Sequence, residues 1–211
     1  MTSLYQKMFD AITTASPAAE VVIVGSNDET ASSHWRVPKG KAAILRYDAL
    51  AAPDSGVERA VVHNHSGFMT FHEVEVNDDP PSGWIKGISS LRPESNAQNL
   101  RSGSREDRKF IASHHRLRSV SLTPIKNVGT AGVPKFFLID LEGMDFDITM
   151  HLLTENDILG IGFECALMND EEIISIRCEA VKYGFYFDFS DEDAILIARA
   201  KVPISYDWEK R

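Results

Sequence analysis

The apolar runs in this chain are short, and that limits what it can build. "EVVIVG" (20–25), "RAVVHNH" (59–65) and "KFFLIDLEG" (135–143) are each a β-rich stretch of a few residues bounded by turn formers. Runs of this length read as buried strands rather than as helices. No apolar stretch approaches the roughly 20 residues that a membrane-spanning helix needs. Between the runs lie segments with helical periodicity. Leu4, Met8 and Ile12 form one apolar stripe that Ser16-Pro17 ends, and "SREDRKFIASHHRL" opens on Ser104, a good N-cap, with acids in its first turn. Strands that alternate with helices imply an α/β or α+β fold.

The remaining elements are read in the same way. "KAAILRYDAL" is a buried element that periodicity leaves open between strand and helix. Residues 66–103 are dense in turn formers and read as irregular, with Trp84, Ile85 and Ile88 as a small apolar anchor. "RSVSLTPI" and "YGFYFDF" read as strands, and a last helix is expected from Ser190 through "AILIARA", with "SDED" as its cap and acidic first turn. There is no internal repeat.

With 211 residues and a net charge of −9, the chain is long enough for one good core and repels phosphate backbones and anionic membranes. Nucleic acid and membrane are therefore not expected as partners. Cys165 and Cys178 allow at most one disulfide, and their scarcity, with an N-terminus that lacks a signal-peptide core, leads us to expect a cytoplasmic protein.

The segment "VVHNHSG" carries the most chemistry. Alternate residues of a strand share a face, so His63 and His65 would present two imidazoles side by side. Two histidines do not complete a catalytic zinc, which takes three protein ligands and a water. The sequence H-N-H is not a nuclease motif here, because that motif draws its residues from well-separated positions. Asp107 stands three residues after Ser104 on one face of a first helical turn, and Glu20 opens a strand after the first helix. Glu29 and Glu58 are weaker candidates for a base, and Asp78 and Asp79 lie in a turn that aims them nowhere.

This ordered set resembles the JAMM metallopeptidases of the JAB1/MPN fold: a glutamate on an early strand, His-x-His at a strand end, then Ser-x-x-Asp opening a helix. The resemblance covers roughly residues 3–140, with Ser66 in place of the usual proline and a 39-residue step from His65 to Ser104. It implies a cytidine-deaminase-like core, a mixed sheet flanked by helices, over 1–140. That core would carry an insertion at about 66–103 that could serve as a lid, and 141–211 would be an extension packed on it.

It also implies Zn²⁺ held by His63, His65 and Asp107, with Glu20 as the general base and Ser104 as the oxyanion donor. The activity implied is a zinc isopeptidase that cleaves at the C-terminus of a ubiquitin-like protein, in a bacterial setting such as antiphage defence. The alternatives are a metal-free scaffold that binds a protein partner and a zinc peptidase acting on other amides such as muropeptides. His114 and His115, in a locally basic stretch, read as a solvated helix face or as a docking patch for an acidic partner. His34, His72 and His151 read as structural.

Overall fold

A computed structural model describes residues 10–12, 14–25, 43–53, 55–76, 79–91, 103–141, 143–165, 168–189, 193–199 and 201–202. Its centre is a seven-stranded sheet in the order β3-β2-β1-β7-β8-β10-β9. The strands are β1 (Glu20–Val24), β2 (Ala43–Asp48), β3 (Glu58–Arg59), β7 (Lys135–Ile139), β8 (Ile158–Glu164), β9 (Phe185–Phe189) and β10 (Asp193–Ala198). β3, β2, β1, β7 and β8 pair in parallel, and β10 runs antiparallel to both β8 and β9.

β1 is buried at every position, as a central parallel strand covered on both faces should be. Its two faces enter separate cores. Val21 and Ile23 join Phe136, Leu138, Ile195 and Ile12, the last from the helical segment 10–15. Val22 and Val24 join Phe137, Ile139 and the inner faces of two helices, α2 (Asp145–Leu152) and α3 (Asp170–Lys182). Each fully buried Phe or Ile there contributes about 1.5–3 kcal/mol relative to exposure.

A second, three-stranded sheet is made of β4 (Val61–His63), β5 (Gly67–Val74) and β6 (His115–Pro124), in the order β4-β6-β5. The chain changes sheets at Ala60: β3 pairs with β2, and three residues later His63 lies opposite Pro124 of β6. Helix α1 (Arg105–His114) runs straight into β6.

The protein is thus mixed α/β, with a mostly parallel central sheet flanked by helices. Several expectations change in detail. Within "KAAILRYDAL", Ala43–Asp48 form a strand, β2. The stretch from 66 is irregular only in part: it begins with the eight-residue β5, whose edge is partly covered by a bridge from His72 to Ser90, and the described residues of that stretch after Val74 hold no further strand or α-helix. Residues 92–102 of that stretch, like Leu4, Met8 and His34, lie outside the described residues. "AILIARA" is not a helix. Ala194–Ala198 form β10, between β8 and β9, where consecutive apolar residues are buried on both sheet faces. A continuous apolar run fits both elements, and here the antiparallel pairing with β9 decides. Residues 141–211, expected as an extension packed on a core, supply three of the seven central strands. Both cysteines are free thiols, Cys165 buried and Cys178 exposed. Among the described residues no helix is long and apolar enough to cross a membrane.

Candidate functional site

Each residue of the expected zinc constellation has a definite place. Glu20 is the first residue of β1 and is buried; its Oε2 accepts a hydrogen bond from the Thr130 backbone N–H at 2.8 Å. The carboxylate therefore anchors the turn that leads into β7. His63 ends β4 and is buried, whereas His65 is exposed and lies beyond the strand. The alternation argument thus stops at His63, but the turn still brings the rings to 4.2 Å between centroids at a 59° tilt. His65 Nδ1 lies 2.9 Å from the Ser66 carbonyl oxygen, which puts a proton on Nδ1 and leaves Nε2 as the basic nitrogen of the neutral ring.

Ser104 and Asp107 are engaged with each other. Ser104 Oγ accepts from the Asp107 N–H at 3.0 Å, and the Ser104 N–H donates to Asp107 Oδ2 at 2.8 Å, a reciprocal capping box at the start of α1. The Asp107 carboxyl is held below its usual range, first by a hydrogen bond from the Ser82 hydroxyl, then, against the opposing effect of burial, by Ser104 and Arg108. Ser104→Ala should lower stability by about 1 kcal/mol, a shift of roughly 2–4 °C in a thermal melt.

Among the described residues no three His, Cys, Asp or Glu side chains stand close enough to hold an ion. Glu20 lies at the N-terminal end of the parallel strands, whereas His63 lies in the second sheet, opposite Pro124.

The C-terminal end of the parallel strands holds a different group. From β1 the chain proceeds to β2 and β3 on one side and returns through β7 and β8 on the other, so the order reverses between β1 and β7. Open α/β sheets bind ligands in the crevice outside such a switch point. Gly25 follows β1 with φ +82° and donates its N–H to the Tyr47 carbonyl at 2.9 Å. A Cβ on it would lie 1.6 Å from the carbonyl oxygen of Asp140, the residue after β7.

Asp48 ends β2, buried, its Oδ1 accepting from the Leu50 N–H at 2.7 Å. Asp145 opens α2 and accepts from the Leu141 and Gly143 N–H groups at 3.2 and 3.3 Å. Its carboxyl is pushed up to about 7, chiefly by burial, with the charge of Glu164, the last residue of β8, adding to the rise. These acids at the C-terminal strand ends mark the switch point. The sequence reading missed it, although one signal was present: a strand ending in Gly25, and an acid 23 residues later at the end of the next run.

No family model matches the chain, and no curated protein or solved structure matches it either.

Proposed function

We propose that this chain binds a nucleoside cofactor at the β1/β7 switch point, that the cofactor is S-adenosylmethionine, and that the protein is a methyl-transfer enzyme. The observation that carries the reading is the strand order, with Gly25 and Asp48 at the ends of adjacent strands. In doubly wound sheets, a glycine turn after the first strand lets the backbone approach the cofactor. An acid about 20 residues on accepts hydrogen bonds from the ribose hydroxyls. Asp48 fits the second role, and Gly25 supplies the turn, although the side on which it lacks a Cβ is taken by the Asp140 carbonyl oxygen.

The charge pattern selects among nucleoside cofactors. A dinucleotide site needs further glycines and a helix N-terminus open to pyrophosphate. Here the sequence after Gly25 reads Ser-Asn-Asp-Glu, Asp140 follows β7 and Glu164 ends β8. Such a site disfavours phosphates and favours a cation. Adenosylmethionine has no phosphate and supplies an electrophilic methyl group on a positively charged sulfur. By fold-level analogy, a parallel sheet with a reversed strand slipped in before its last edge is also the arrangement common among adenosylmethionine-dependent methyltransferases, although function rests on the site and not on the fold.

The test is calorimetric titration with S-adenosylhomocysteine, with NAD⁺ as control. Wild type should bind the former and not the latter. Asp48→Asn should weaken binding by at least about tenfold, because it keeps the acceptor for Leu50 but removes the charge that faces the ribose. Absence of binding by wild type sinks the reading.

A second reading keeps the zinc isopeptidase with His63, His65 and Asp107 as ligands, Glu20 as base and Ser104 as oxyanion donor, acting on a ubiquitin-like protein. Its support is the contact between the His63 and His65 rings. Asp107 keeps one carboxylate oxygen, Oδ1, outside the capping box and without a hydrogen-bond partner among the described residues, so a ligand role does not require the box to open. About one zinc per chain in wild type, lost in His63→Ala/His65→Ala, would favour it over the first.

A further inference from the structure

A second pair of histidines lies away from both groups. His72, on β5, and His115, the first residue of β6, occupy diagonal cross-strand positions on one face of the small sheet, since His72 pairs with Leu117 and Val74 with His115. Both are half-buried. His72 Nδ1 and His115 Nε2 stand 3.1 Å apart, with the ring planes inclined by only 20° and the centroids 5.3 Å apart. Imidazole lone pairs lie in the ring plane, so rings that meet nitrogen to nitrogen and nearly coplanar direct both lone pairs into one small volume.

Two nitrogens at the usual Zn–N distance on a tetrahedral ion are separated by about 3.3 Å. The observed spacing needs only a few tenths of an ångström to reach that value. Both backbones are also fixed. His72 exchanges two hydrogen bonds with Ser90, at 2.9 and 3.0 Å, and the His115 N–H caps α1 by donating to the Ile111 carbonyl.

We infer that His72 and His115 form a two-point chelate for a divalent ion that favours imidazole, such as copper(II), nickel(II) or zinc. Without the ion one ring donates an N–H to the other; on binding, that ring's proton passes through water to its other nitrogen, so that both facing nitrogens offer lone pairs to the metal. Neighbouring groups that could add a ligand are engaged elsewhere. The His114 ring stacks on Phe110 at 4.0 Å between centroids, with its Nδ1 2.8 Å from the Phe110 carbonyl oxygen. Glu73 and Glu75 pair with Arg118, and Glu75 also with Arg116. Water completes the coordination. The bound ion ties β5 to the junction of α1 and β6.

The experiment uses the full chain carrying His63→Gln and His65→Gln, so that the other histidine pair cannot bind, and titrates it with copper(II). One equivalent should bind and give an electron paramagnetic resonance spectrum with two nitrogen ligands. His72→Gln or His115→Gln should each weaken binding by at least about tenfold. The inference is overturned if the parent binds no copper, if its spectrum shows a nitrogen count other than two, or if a folded single variant binds as the parent does. The nitrogen count of the parent decides the matter even if a variant fails to fold.

Discussion

Gly25→Ala is expected to lower stability by about 4 kcal/mol or more, enough to cost about 10 °C in melting temperature or to abolish folding. Two costs combine. At φ +82° an L-residue is strained by about 1–2 kcal/mol. In addition, the new Cβ would stand 1.6 Å from the Asp140 carbonyl oxygen, and the backbone there cannot rotate out of the way as a side chain could. Relief requires the ends of β1 and β7 to part, which breaks the 3.0 Å hydrogen bond from the Asp140 N–H to the Val24 carbonyl.

Gly132→Ala is the internal control. Its φ is +75°, but a Cβ there meets nothing within 4 Å. It should lose only the conformational part, about 1–2 kcal/mol. Equal losses in the two variants, read from denaturant unfolding, would show that the β1/β7 contact is not as close as described. Because the contact lies at the switch point, a folded Gly25→Ala protein should also have lost the cofactor affinity proposed above.

Asp145 carries the second large effect, and its sign is unusual for a carboxylate. Burial raises its folded pKa from 3.8 to about 7, so between those values the folded state binds the proton that the unfolded state has released. The stability this group contributes is complete below about pH 4 and falls as pH rises through 7. At 1.36 kcal/mol per pKa unit the loss approaches about 4 kcal/mol once the group is fully ionised. Asp145→Asn removes the titration. The difference in unfolding free energy between variant and wild type should shift in the variant's favour by up to that amount from pH 4 to pH 8. At pH 4 the variant should be equal to wild type or weaker, because the amide can accept from only one of the Leu141 and Gly143 N–H groups. A difference that stays flat across this range would mean that Asp145 is not buried as described.

How much of this could be read without the fold depends on the range of each interaction. β1 and β7 are recognisable because a strand buried on both faces is a run of apolar residues, a purely local signature. The capping box of α1 is legible for the same reason: Ser104 and Asp107 are three residues apart, and their hydrogen bonds depend on that spacing. The same residues were given ligand and oxyanion roles, and the spacing that suits a capping box suits that motif equally. His63-Asn64-His65 is also a local feature, and the rings do meet. Whether Glu20 and Asp107 join them is a matter of which end of which strand each occupies, and no spacing along the chain encodes that.

Pairing across the sheet is where local reading fails. "AILIARA" is apolar enough for a helix or a strand, and only the partners on either side make it β10. Gly25 and Asp140 are 115 residues apart in the sequence and in contact in the fold. The sequence by itself determined the early strands and helices, the cap of α1 and the charge, because these follow from propensity and from groups within a few residues of one another. The tertiary structure alone decided the strand order, the acids gathered at the C-terminal strand ends and the pairing of His72 with His115. Those depend on contacts between distant segments, whose closure is driven by burial of the whole core rather than by any one stretch of it.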